Sequence, residues 1–123
     1  MIKFIDRYFS APDQRGVIEG LINFGTWEEL NYIRSDKGII RGNHYHKHTL
    51  EAFIILSGKL KISLQKVING QLDGEIEDYI VEKRQVFLIN PLTLHVFNIL
   101  EDSEWINVLS KRMDQNNPDI YRL

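Results

Sequence analysis

A chain of 123 residues with a formal net charge of −2 predicts a single domain spanning 1–123, long enough to bury a core and too short to share between two. The 15 Lys and Arg against 17 Asp and Glu, with no basic block, exclude nucleic acid as the expected partner, and the absence of cysteine excludes disulfides and thiolate metal sites, which suits the cytoplasm. Met1 to Phe9 is broken by Lys3, Asp6 and Arg7, so it lacks the apolar core of a signal peptide, and no later apolar run reaches membrane-spanning length; a soluble protein is expected.

Strands are predicted in chain order at Ile2 to Tyr8, Val17 to Asn23, Glu28 to Arg34, Ile39 to His46, Ala52 to Leu56, Lys59 to Ile68, Glu75 to Val81, Gln85 to Ile89, His95 to Leu100 and Trp105 to Ser110. Turn signals separate them at Pro12 to Gly16, Asn23 to Gly25, Ser35 to Gly38, Gly58, Asn69-Gly70, Asp73-Gly74 and Asn90-Pro91. The clearest alternation is Lys59 to Gln65, where Leu60, Ile62 and Leu64 share one face and Lys59, Lys61, Ser63 and Gln65 the other. Ala52 to Leu56 is apolar on both faces, as expected of a strand covered by a second sheet or by a partner subunit, and a homodimer is expected. Asp114 to Asp119 reads as loose tail. Many short strands with almost no helical period predict an all-β antiparallel sandwich or small barrel, with the double-sheet jelly roll foremost.

Chemistry concentrates in Arg41 to Gly58. His44 and His46 lie two apart, so on a strand both imidazoles point to one side, and Glu51 follows on the next strand. With His95 downstream, three histidines and one carboxylate are candidates for a single pocket that binds a divalent cation or moves a proton. Histidines at this spacing alone are more often solvated, and His48 is expected to be exposed. Gly42 and Gly58, placed where corners need them, and Pro91 ahead of His95 favour the pocket.

These residues resemble the cupin family. Gly42, His44, His46, Glu51 and Gly58 are similar to its first motif, and Pro91 to Asn98, with His95 as the third histidine, to its second, with Leu92 and Thr93 where a glycine is usual. The resemblance implies a cupin-type double-stranded β-helix, the jelly-roll barrel. Asp13 to Glu19, reading DQRGVIE, followed by Arg41 to His46, reading RGNHYH, looks like cupins acting on nucleotide-linked 4-keto-6-deoxy sugars. In the dTDP-4-dehydrorhamnose 3,5-epimerase-like members the first segment helps hold the nucleotide, and the second supplies a phosphate-binding arginine and a catalytic histidine. RGNHYH and the closing Asn117 to Tyr121 also look like the C-terminal cupin half of bifunctional capsular polysaccharide enzymes, which epimerises a UDP-linked keto sugar and holds zinc.

The resemblance therefore implies an epimerase on a dTDP- or UDP-linked 4-keto-6-deoxyhexose in polysaccharide or deoxysugar synthesis. Its catalytic candidates are His44, His46 and Tyr45, its substrate-binding candidates Arg15, Glu19 and Arg41, and its metal ligands His44, His46, Glu51 and His95. Zinc is the favoured ion and no organic cofactor is expected. His44 to Lys47 also resembles dTDP-sugar 3,4-ketoisomerases, which use a histidine pair without a metal and typically carry glutamine near the position of Glu51; the glutamate favours the metal. A cupin that only binds a sugar or metal ion is the third reading. The chemistry suits the residue types independently: a C4 ketone acidifies its neighbouring C–H bonds, so an imidazole can remove a proton while an ion or donor steadies the enolate. Strict alternation sets Arg41 and His44 on opposite faces, so their cooperation requires a bulge near Gly42. Trp27, Tyr32, Phe53, Phe97 and Trp105 could stack a base, but are expected in the core.

Overall fold

A computed structural model describes residues 1–123. It contains nine strands and no helix: β1 (Ile2–Phe4), β2 (Phe9–Asp13), β3 (Gly16–Gly20), β4 (Glu29–Ser35), β5 (Ile40–His44), β6 (Glu51–Ile68), β7 (Gln71–Glu82), β8 (Val86–Ile89) and β9 (Thr93–Leu109). All strand pairs are antiparallel. No helix of the structure is long and apolar enough to cross a membrane.

The frame is one long ribbon. β6 and β9 pair from Glu51↔Leu109 to Lys66↔Thr93, and their register slips three times between Ile55 and Leu60. Gly58 sits within these slips at φ 89°, and a Cβ there would lie 2.1 Å from Ser103 Oγ, so only glycine lets the two strands come this close. The slips divide the ribbon into two arms. On one arm β8 pairs with Glu51 to Ile54, β1 pairs with β8, and β4 pairs with Ser103 to Leu109. On the other, β7 pairs with Lys59 to Ile68 and β5 with His95 to Asn98.

The arms face each other across the core. Phe53 on one arm meets Phe97 on the other edge-on, with ring centroids 5.2 Å apart, and Phe97 meets Trp105 at 6.1 Å. Leu60, Ile62 and Leu64 are buried as their alternation predicts, and they join Phe53, Ile55, Phe87 and Trp105 in a single cluster. Removing each such side chain from water contributes on the order of 1.5–3 kcal/mol. The result is an all-β, two-layered antiparallel fold of jelly-roll type.

Three sequence expectations change. The two strands expected at Ala52 to Leu56 and Lys59 to Ile68 are one, as are those at His95 to Leu100 and Trp105 to Ser110, because Gly58 bends the paired ribbon without ending its pairing. β2 was not expected; it pairs with β3 from Phe9↔Gly20 to Asp13↔Gly16 in a separate hairpin, and all five of its residues are exposed, so it has no burial alternation to read. The segment Asp114 to Asp119, expected as loose tail, is tied down at its last residue, where the Asp119 carboxylate accepts from Lys47, His48 and Thr49, and just beyond it Tyr121 and Tyr45 exchange two backbone hydrogen bonds of 3.0 Å.

Candidate functional site

β5 carries the first histidine, and a bulge aims it. Pairing with β9 runs Arg41↔Phe97, Gly42↔Val96 and then His44↔His95, with Gly42 at φ 81° and Asn43 at φ 60°. Asn43 is the extra residue, so Arg41 and His44, which alternation would separate, line the same cleft. A Cβ on Gly42 would stand 2.7 Å from the His95 carbonyl oxygen. His46 follows β5, Glu51 opens β6, and His95 lies near the start of β9. Glu51 and Leu64, the cross-strand neighbour of His95, lie on either side of Gly58, so folding the ribbon there sets carboxylate against imidazole. Leu92, at the turn where a glycine is usual, takes φ 59°, and its N–H donates to the His46 carbonyl at 2.7 Å.

The four groups converge: one ligand atom from each of His44, His46, Glu51 and His95 lies within 4.8 Å of the others. Each histidine has Nδ1 against a backbone carbonyl, His44 on Gly42 and His95 on Thr93 at 3.1 Å, and His46 on Asp119 at 2.5 Å. Carbonyls only accept, so every Nδ1 carries a proton and every Nε2 is left for the centre. Glu51 Oε1 lies 2.5 Å from His46 Nε2 and 3.5 Å from His95 Nε2, while Oε2 accepts from Asn107 Nδ2 at 3.0 Å. Three imidazole nitrogens and one carboxylate oxygen, each ring steadied by a carbonyl, form a site capable of coordinating a metal ion.

Charge is divided unevenly among them. Burial, reinforced by His95 and His46, pulls the His44 pKa down to about 4, and burial likewise lowers His95. Burial also opposes charge on His46 and Glu51, but their mutual hydrogen bond and attraction outweigh it, raising His46 and lowering Glu51. Without a metal, His44 and His95 are neutral near pH 7, and a proton is held most firmly between His46 and Glu51.

Above the cluster opens a cleft of about 300 Å³. Its polar lining is Arg41, His44, Glu51, His95, Asn107 and Arg122, and its apolar lining Ile33, Ile40, Phe53, Phe97 and Trp105. Phe53, Phe97 and Trp105 are at once core and wall. Arg41 donates from Nε to Ser35 Oγ and from Nη2 to the Arg34 carbonyl.

Other sequence candidates lie elsewhere. Arg15 is exposed in the β2–β3 turn and paired with Asp13, and Glu19 on β3 is paired with Arg7 and Arg84. Neither lines the cleft of its own chain. Tyr45, between the two histidines, points to the opposite face, is 4% exposed and packs on Tyr121 with centroids 5.6 Å apart. Tyr32 is exposed and donates its hydroxyl proton to Glu104, and Trp27 donates to the Phe24 carbonyl, both away from the cleft. Sequence reading missed Asn107, Arg122 and Asp119. The Asp119 carboxylate accepts from the backbone N–H groups of Lys47, His48 and Thr49 and from Thr49 Oγ1, pinning the tail to the loop between His46 and Glu51.

Jelly-roll layers with a three-histidine, one-glutamate cluster beneath an open cleft define a cupin-like protein. Residues 11–121 match the polysaccharide biosynthesis C-terminal domain, and the chain belongs to that family. Among solved structures it resembles the capsular polysaccharide assembling protein CapF from Staphylococcus aureus, at 30% identity and TM-score 0.70, covering 94% of this chain and 34% of CapF, so it spans about a third of that protein. It also resembles the 3,4-ketoisomerase QdtA from Thermoanaerobacterium thermosaccharolyticum in complex with TDP, at 23% identity and TM-score 0.74 over 99% of this chain and 88% of QdtA, and at 25% identity in a double mutant of that enzyme. The dTDP-4-dehydrorhamnose 3,5-epimerase from Sulfolobus tokodaii shares the fold, with TM-score 0.74 at 19% identity over 94% of this chain and 78% of the epimerase. No curated protein sequence matches the chain.

Proposed function

We propose that the chain is an isomerase of nucleotide-linked 4-keto-6-deoxyhexoses that moves a proton beside the ketone and shifts the carbonyl from C4 to C3. The observation that carries this reading is a neutral imidazole, His44, half-buried in the wall of a cleft over a buried acid–imidazole cluster, in a chain that matches a TDP-bound 3,4-ketoisomerase over 88% of that enzyme's length. The sequence-based preference was epimerisation; the ketoisomerase has the better support.

The cluster divides into two roles. His46, Glu51 and His95 are buried, whereas His44 is only half-buried and forms part of the cleft surface. A zinc ion that works on a substrate keeps three protein ligands and one open position. His46, Glu51 and His95 are the three that would hold it, which leaves His44 to carry the proton. When bound there, the ion supplies a Lewis acid for the substrate carbonyl. His44 Nε2, with its Nδ1–H held by the Gly42 carbonyl, accepts the proton from C3, exchanges it with water in the open cleft and delivers a proton to C4, while the O3 hydroxyl proton moves to O4. Atoms and electrons balance with no organic cofactor.

Epimerisation is the second reading, favoured by the RGNHYH string and the 30% identity with CapF. The same base then removes the C3 or C5 proton, and reprotonation from the opposite face inverts the carbon. Incubation with dTDP- and UDP-4-keto-6-deoxyglucose in deuterium oxide, followed by NMR, separates the two. Deuterium at C4 with the carbonyl at C3 is expected; exchange with inversion and an unmoved ketone selects epimerisation, and no exchange with either nucleotide sinks both.

A further inference from the structure

We infer that Arg122, carried into the cleft by the pinned tail, forms with Arg41 a two-guanidinium clamp for the diphosphate of a nucleoside diphosphate. The proposal rests on the nucleotide-sugar reading for the diphosphate and for the phosphate role of Arg41; the part of Arg122 follows from its charge and placement.

Each chain-terminal contact points Arg122 to the site. Asp119 is tied by four hydrogen bonds to the loop Lys47 to Thr49, its carbonyl oxygen accepts from His46 Nδ1, and Tyr121 is bridged to Tyr45 on both backbone groups. Arg122 is the next residue, and it lines the cleft together with Arg41, His44 and Glu51. The tail thus belongs to the site, and its cation is placed by the same segment that orients His46.

The cleft carries more positive than negative charge, which favours an anion. Glu51 is its only carboxylate, and its two oxygens are engaged by His46 and Asn107. Arg122 forms no ion pair and no side-chain hydrogen bond, and Arg41 is held by the Ser35 hydroxyl and the Arg34 carbonyl with no carboxylate partner. Arg7, Arg15 and Arg84, by contrast, are each neutralised by Asp13 or Glu19. Two arginines left without counter-charge on one concave surface match two linked phosphates, to which guanidinium presents a planar fork of donors.

Calorimetry on the metal-loaded protein with inorganic pyrophosphate, dTDP and thymidine tests this, beside R122A and R122K. The parent is expected to bind pyrophosphate and dTDP with an affinity that falls as salt rises. R122A should weaken both by about 10-fold or more, the loss typical of a charge-assisted hydrogen bond, and R122K should recover part of it. Thymidine binding and metal content should not change. Undiminished dTDP and pyrophosphate binding by R122A overturns the clamp, as does a parent that binds neither. A parent that binds pyrophosphate through Arg122 yet turns over no keto sugar supports the clamp and removes the reaction, so the two ideas fail separately.

Discussion

His44 differs from the other two histidines in exposure, and that difference sets its predicted behaviour. A His44→Asn variant is expected to keep its zinc within a few-fold while losing deuterium exchange by about 100-fold or more, the usual contribution of a positioned base. Glu51→Ala should lose the metal outright and His48→Ala should lose neither, by metal analysis of the purified proteins; equal metal loss in all three contradicts the division of roles. The same histidine gives the metal-free protein an acid limit. An imidazole with a lowered folded pKa resists protonation that the unfolded chain accepts, so stability falls as pH drops from 6.5 to about 4, and burial of His95 adds to the loss. Glu51 acts in the same direction below its ordinary 4.5, while His46, raised by Glu51, favours the fold below 6.5 and loses that contribution as pH rises through its folded value. Thermal melts of the metal-free parent should decline over that acid window, and the His44→Asn profile should be shallower. Zinc competes with the proton that Glu51 favours on His46, so calorimetric enthalpies of zinc binding should vary with the ionisation enthalpy of the buffer, and more so at lower pH.

At the scale of elements, one glycine and one aspartate hold the site in register. Gly58→Ala meets Ser103 Oγ at 2.1 Å and the Asp102 carbonyl at 2.5 Å from a left-handed backbone, whereas Gly70→Ala, with a similar φ, meets nothing within 4 Å. The second pays only backbone strain of about 1–2 kcal/mol; the first adds displacement of a paired strand and should lose more than about 3 kcal/mol in urea titrations. Equal losses would mean that the ribbon does not need its close approach. Asp119→Ala removes four acceptor contacts, one of them to the buried Thr49 hydroxyl, and should cost about 2–3 kcal/mol. It should also expose the tail amides to hydrogen exchange and weaken zinc about 10-fold through His46. Burial pushes the Asp119 carboxyl up but its hydrogen bonds outweigh that, so its contribution is present above pH 3.8 and fades as pH falls through the lower folded value.

The whole molecule leaves an apolar groove uncovered. Tyr8, Phe9, Ile18, Leu21, Ile22 and Trp27 line it over Ile54 and Val108, the outer face of the central ribbon, and Ile18 is 66% exposed. A formal charge of −2 gives little self-repulsion to oppose pairing of two copies. Sedimentation is expected to show a homodimer, and Ile18→Lys should shift it toward monomer; an unchanged distribution would place the interface elsewhere. The expectation began with the doubly apolar run Ala52 to Leu56, where Phe53 and Ile55 are core and Ile54 faces this groove.

The sequence by itself determined what repeats locally or is carried by residue type. Leu60, Ile62 and Leu64 announce a half-buried strand because side chains alternate at period two, and two histidines and a glutamate near glycines announce a polar pocket because few other residues bind ions or protons. Even the bulge at Gly42 could be inferred, since Arg41 and His44 can share a face no other way. Tertiary structure alone decided that the bend at Gly58 brings Glu51 against His95, that Asn107 holds the carboxylate, and that Asp119 delivers Arg122 to the cleft. It also turned Tyr45 away and kept Arg15 and Glu19 on their hairpin. Those placements depend on contacts between residues up to some 70 positions apart, as between Asp119 and Thr49, and no local period or propensity records them.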